Sequence, residues 1–170
     1  DAAMMIVGEQ PGDQEDLIGT PFVGPAGQVL NSAFERVGIV RDAVYLTNAV
    51  KHFKFQVRGK RRVHQSPNAS EVDHCKWWLE QERALVRPKL ILAMGATAAR
   101  ALTGRAVKVQ EARIGEQILD DGTVLRVTVH PSYLLRIPDR AQKGVEWNRF
   151  LADLTSAKAR VNELAEHLSA

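Results

Sequence analysis

The sequence contains a single cysteine, Cys75, among 170 residues, so no internal disulfide can form. Cytoplasm is the compartment expected for such a chain. Long apolar runs are missing as well. The stretch from Leu90 to Met94 is far too short to cross a bilayer, and no membrane partner is expected. The first residues lack the charged-then-apolar layout of a secretory signal. There is no internal repeat and no low-complexity segment. Between Asp42 and Glu71 there is no acidic residue at all. What remains is an ordinary globular composition, 45% apolar and 25% charged, with enough chain for one domain over residues 1–170.

The acid-free span concentrates the positive charge. It holds Lys51, Lys54, Arg58, Lys60, Arg61 and Arg62, together with His52 and His64. Six of the 23 basic residues lie there, so the rest of the chain carries fewer basic than acidic side chains, of which there are 20. A basic loop over 51–66 suits phosphate contacts of a nucleic acid. Composition alone equally allows a solvated loop or a loop that docks a partner.

Periodicity predicts the frame. Ala2 to Val7 reads as a buried strand ending at Gly8, and a polar, Gly/Pro-rich loop runs on to Gly27. Leu30, Ala33, Phe34 and Val37 recur at helical spacing and stop at Gly38. Val44 to Val50 is a second strand. Ser66-Pro67-Asn68 opens a helix with Val72, Cys75 and Leu79 on one face. Lys89 to Met94 is a third strand, leading through Gly95-Ala96-Thr97 into a helix that ends near Leu102. Asp120-Asp121-Gly122 is a turn between two strands, the last from Thr123 to Val129. A helix over about 142–168 closes the chain, with Trp147, Leu151, Leu154, Val161 and Leu168 inward. Strands alternating with helices give a three-layer α/β/α fold around a mostly parallel sheet, counted here as four-stranded. Ligands in such sheets sit beyond the carboxyl ends of the strands.

Polar segments follow four of these strands. Gly8-Glu9-Gln10-Pro11-Gly12 lacks the Gly-Lys-Ser/Thr of a P-loop and the spacing of a dinucleotide fingerprint. It is either a plain turn or a Glu and a Gln presented to a polar substrate. Phe22 in a Gly/Pro loop is a core ring or a stacking platform for a flat ring. Asn48, at the end of the second strand, either caps the backbone or reads a base edge, since its amide both donates and accepts. His64 follows Lys60-Arg61-Arg62-Val63. Neighbouring cations disfavour imidazolium, and a neutral ring is a competent nucleophile, although a histidine in a basic loop more often touches phosphate or solvent. His130-Pro131-Ser132 follows the last strand, where the imidazole could donate to charge growing on a leaving group.

Taken in order, Gly8-Glu9-Gln10-Pro11-Gly12, Pro21-Phe22-Val23-Gly24, Thr47-Asn48-Ala49-Val50-Lys51 and His130-Pro131-Ser132 resemble the uracil-DNA glycosylase superfamily over nearly the whole chain. The resemblance is to family four, the iron–sulfur branch. It departs from that family at Gln10, where alanine is usual, and in the inserted Lys-Arg-Arg-aliphatic-His loop. Both features resemble the X branch (UdgX), which bonds covalently to uracil-containing DNA.

The resemblance implies a role for each residue. Phe22 stacks on the extruded uracil, Asn48 reads its polar edge and Gln10 lines the pocket. His130 bonds the uracil oxygen that becomes anionic. Glu9 orients His64 and takes its proton, and His64 attacks C1′. Arg58, Lys60, Arg61, Arg62 and Ser132 contact the DNA, with single-stranded DNA preferred and a monomer acting alone. A conventional hydrolytic glycosylase, or a non-catalytic nucleic-acid-binding domain of the same fold, are the alternatives. The resemblance also implies a [4Fe–4S] cluster with four ligands, two of them cysteines upstream of the first strand. This sequence contains neither. Cys75 matches a downstream ligand position, and His52 stands where another cysteine is usual. Either the protein extends upstream of Asp1 or the cluster is absent.

Overall fold

The computed structural model describes residues 2–166. Five strands, β1 (Met4–Gly8), β2 (Val44–Asn48), β5 (Leu90–Met94), β6 (Gln117–Ile118) and β7 (Val124–Thr128), form one sheet in the order β2-β1-β5-β7-β6. All its pairs are parallel except β6 with β7, so the four expected strands gain a short antiparallel edge. Two further strands, β3 (Phe55–Arg58) and β4 (Arg61–His64), form a separate antiparallel hairpin.

The β1 and β5 strands are apolar throughout because helices cover both faces of the sheet. Successive side chains point to opposite sides. Met4, Ile6, Leu90 and Leu92 face one core with Leu30 and Phe34 of α2 (Pro25–Val37) and with Phe150, Leu154, Ala157 and Val161 of α7 (Arg140–Glu166). Met5, Val7, Ile91 and Ala93 face the other, with Val72, Cys75 and Leu79 of α3 (Ala69–Val86) and Ala98, Ala99 and Leu102 of α4 (Ala96–Thr103). The expected three layers are therefore present. Asn68 caps α3 in a reciprocal capping box with Glu71. Of the inward residues expected on α7, Trp147 and Leu151 are partly buried and Leu168 lies outside the described residues.

Five α-helices and strands were not expected. The segment read as one loop between Gly8 and Gly27 contains α1 (Asp13–Ile18), which has no buried residue and so no apolar period to reveal it. The basic segment read as a loop is the β3–β4 hairpin. Its strands are mostly exposed and carry no in-out alternation, and Gly59, at φ +62°, takes the first central turn position. The short helices α5 (Val109–Ala112) and α6 (Pro131–Arg136) lie in stretches to which the sequence pattern assigns no element. No helix among the described residues is long and apolar enough to cross a membrane.

Candidate active site

Parallel pairing puts the carboxyl ends of β1, β2, β5 and β7 along one edge. Glu9, Asn48, Gly95 and His130 follow from there, where the chain turns to opposite sides of β1. A cleft of about 1040 Å³ opens at this edge. Its wall includes Glu9, Gln10, Phe22, Asn48, His64, His130 and Ser132, as well as Lys60, Arg61 and Arg62 from the hairpin. Ten of the residues singled out in the sequence thus meet in one place. Arg58 lies on an exposed strand and is not part of the cleft wall, and His52 and Cys75 line a separate cavity.

One wall presents an aromatic ring beside a buried amide. Phe22 is buried, with φ at +54°, a conformation that is costly for an aromatic residue and persists only when its surroundings enforce it. They do so through Glu15 of α1, which accepts from Val23 N at 3.1 Å and Gly24 N at 2.8 Å. Arg41 adds a bond from Nη2 to Pro21 O at 2.8 Å. Gly8 lets this wall close. A Cβ there would lie 2.6 Å from both Phe22 Cζ and Asn48 Oδ1. Asn48 is itself buried, and its Oδ1 has no partner among the described residues. Its carbonyl is anchored by Lys51 Nζ at 2.7 Å, and that ammonium also meets Glu82 Oε2 at 2.6 Å. An orphaned, buried amide oxygen beside an aromatic ring is an acceptor waiting for a donor such as an imide N–H.

The opposite side carries the titratable groups. His130 caps α6, and its Nδ1 accepts from Ser132 N at 3.2 Å and lies 2.8 Å from Ser132 Oγ. With Nδ1 accepting, the neutral ring holds its proton on Nε2. Burial pushes the His130 pKa down to about 4, opposed by Glu9 and reinforced by Arg136 and His64. His130 is therefore a neutral donor across the physiological range.

His64 Nε2 lies 3.0 Å from Glu9 Oε1, and Thr97 Oγ1 donates to Glu9 Oε2 at 2.8 Å. Burial raises the Glu9 carboxyl. The hydrogen bonds from His64 and Thr97, with the neighbouring imidazoles of His64 and His130, outweigh it and hold the group below its usual range. An ionised carboxylate only accepts, so Nε2–H of His64 donates to it. The charged group touching this ring is Glu9, rather than the cations beside His64 in sequence.

The hairpin is fastened at both ends. Gln10 Nε2 donates to Lys54 O at 3.2 Å and Gln65 O at 3.1 Å, and its Oε1 lies 3.4 Å from Lys54 N. The Gln10 amide thus faces the hairpin's base from within the cleft wall. Arg62, expected on phosphate, is held by α1: Nε donates to Asp13 Oδ1 at 2.6 Å and Nη1 to Asp16 Oδ2 at 2.7 Å. Its guanidinium also sits over the Phe53 and Phe55 rings, 5.2 and 5.1 Å from their centroids. Lys60 and Arg61 at the hairpin tip have no ion pair among the described residues. The sequence reading missed Thr97, Glu15, Asp13 and Asp16. The i, i+3 spacing of Asp13 and Asp16 was a signal for one helical face.

The cavity at Cys75 does not form a cluster site. Cys75 is buried, and His52 and His74 are exposed around a space of about 330 Å³. No group of three or more candidate ligands occurs among the described residues. An iron–sulfur cluster needs a full set, normally of thiolates, so these residues alone do not fit one.

The carboxyl edge of the parallel sheet thus gathers a buried aromatic ring, a buried amide, a neutral histidine and an ionised carboxylate around one cleft. The Uracil DNA glycosylase superfamily matches residues 1–155, and the chain belongs to it. It is 37% identical over 142 residues to the type-4 uracil-DNA glycosylase of Pyrobaculum aerophilum, covering 79% of this chain and 69% of that one. It is 34% identical over 165 residues to the type-4 uracil-DNA glycosylase of Thermotoga maritima, covering 96% and 80%.

Proposed function

We propose that this chain excises uracil from DNA and then captures the sugar on His64, ending as a single-turnover protein–DNA adduct. The type-4 relatives support the excision. The 3.0 Å contact between His64 and Glu9, at the mouth of a slot floored by Asn48 and Phe22, carries the reading of capture.

The extruded uracil stacks on Phe22, and its N3–H donates to Asn48 Oδ1. As the C1′–N1 bond breaks, uracil leaves with the electron pair. Nε2–H of His130 donates to the oxygen that gains the charge. The sugar becomes an oxocarbenium-like cation. The lone pair of the His64 ring forms the new C1′–N bond, and the proton His64 shares with Glu9 passes to that carboxylate. Uracil takes its proton from solvent. A tethered imidazole at contact distance has an effective concentration far above that of a diffusing nucleophile. The product has no leaving group that water can readily displace. Lys60 and Arg61 contact the flanking phosphates, and Ser132 holds the His130 ring. Single-stranded DNA is the preferred partner because no pairing opposes extrusion. A monomer supplies the whole site.

The test is incubation with uracil-containing single-stranded DNA followed by a denaturing gel. A band of protein joined to DNA, lost in His64→Ala while uracil is still released, is the expected result. Free uracil produced over many turnovers by the wild type, without that band, would assign a hydrolytic mechanism instead. Salt-sensitive binding with no preference for uracil would assign a binding domain.

A further inference from the structure

Thr97 makes a contact that its position in the fold does not require. Threonine hydroxyls inside helices usually bond a carbonyl one turn back. Thr103 does so to Ala99 O at 2.8 Å, and Thr155 to Leu151 O at 2.8 Å. Thr97 sits in the first turn of α4, where no such carbonyl is available, and that helix has no side-chain cap. Its hydroxyl instead reaches across to Glu9 Oε2, 88 residues away in sequence, from the cleft wall. The first turn of α4 is fixed against β7, since Gly95 N donates to Thr128 O at 2.8 Å.

The consequence lies in how a carboxylate moves. Held at one oxygen only, the Glu9 group could rotate and offer either oxygen to the ring or to water. Held at Oε2 by Thr97, it has one oxygen left, Oε1, and that oxygen faces His64 Nε2. We infer that Thr97 is the positioning residue of the capture step, fixing the Glu9 carboxylate so that it orients the His64 ring and receives its proton. The inference rests on the reading of His64 as nucleophile. Thr97 touches neither DNA nor the reacting carbon and acts through Glu9.

The hydroxyl also favours the ionised carboxylate, as does the facing His64. The His130 ring faces Glu9 from the β7 side, with Arg136 and His64 acting on it in turn. Removing the hydroxyl leaves burial less opposed, so Glu9 protonates at higher pH and the acid limb of capture moves upward.

The experiment compares the wild type, Thr97→Val and Thr97→Ser with enzyme in excess over uracil-containing single-stranded DNA. Uracil release and adduct yield are followed separately from pH 4 to 8. Valine keeps the volume and removes the hydroxyl. Adduct formation is expected to slow by about tenfold, the order of one hydrogen bond to a charged group, with uracil release slowed less. The acid limb should shift upward, and serine should restore both rate and limb. Wild-type adduct kinetics in Thr97→Val would overturn the inference while leaving capture by His64 intact. Equal slowing of both steps, with an unshifted limb and no rescue by serine, would show a structural role and overturn it too. Absence of adduct in the wild type would remove the capture reading itself.

Discussion

Replacing Gln10 with leucine separates two roles that the sequence could not. Leucine fills a similar volume, and the change removes two bonds donated by Nε2, at 3.1 and 3.2 Å, and a longer one of 3.4 Å from Lys54 N, that hold the base of the β3–β4 hairpin. Lys54 O keeps its backbone bond from Gln65 N at 2.9 Å. Each of the two shorter bonds is worth roughly 1 kcal/mol net and the 3.4 Å contact little, so about 2 kcal/mol leaves the docked hairpin. That limits the loss of properly placed His64 to about thirtyfold. The Arg62 contacts to Asp13 and Asp16 remain and buffer the effect. Gln10→Leu alone should therefore slow adduct formation several-fold, and Gln10→Leu with Arg62→Ala should slow it by more than the product of the single effects. Single-turnover gels with uracil DNA give the adduct rate, and chromatography of the released base gives the cleavage rate. The reasoning requires uracil release to change much less than adduct formation. If both fall by the same factor in Gln10→Leu, the amide acts on the base and the fastening role is refuted.

Asn48→Leu should abolish excision yet raise the melting temperature of the DNA-free protein, because it removes a buried acceptor with no partner, a defect worth about 1–3 kcal/mol; a lowered melting temperature would contradict this. His130 has a folded pKa of about 4, below its unfolded value near 6.5, so the unfolded chain binds the proton first as pH falls. Its contribution is complete above pH 6.5 and is lost progressively toward pH 4, amounting to about 3 kcal/mol. Urea unfolding of His130→Asn should show a flatter pH dependence in that window. Lowered Glu9 acts in the same direction only below its ordinary range near 4.5, where its protonation sets in. Outside the cleft wall, Arg113→Met removes the cation shared by Asp153 and Glu146, a guanidinium with 1% of its side chain exposed. A loss of about 3 kcal/mol in denaturant stability is expected, and Asp153→Asn in the same background should recover part of it.

The layered fold was legible because burial on both faces writes continuous apolar runs into β1 and β5 and helical periods into α2 and α3. The strand ends then pointed to one cleft, since a parallel sheet gathers Glu9, Asn48 and His130 at one edge whatever lies between them. The hairpin was not legible as a hairpin. Phe55 to His64 packs against little, so nothing in its pattern distinguishes a strand from a basic loop. The same physics hid α1. The partners of the candidate residues were equally invisible. Thr97 meets Glu9, and Arg62 meets Asp13 and Asp16, across separations that only the folded chain sets. Arg62 has partners that its neighbours in sequence do not reveal. Its place among cations suggested phosphate, whereas the fold gives it two carboxylates and two aromatic faces.

The most direct test of capture by His64 is proteolysis of the adduct followed by mass spectrometry. The account predicts a deoxyribose-phosphate remnant on the peptide that contains His64, localised by fragmentation to that imidazole. A remnant on any other residue, or full conversion of the DNA with unmodified protein, would contradict it.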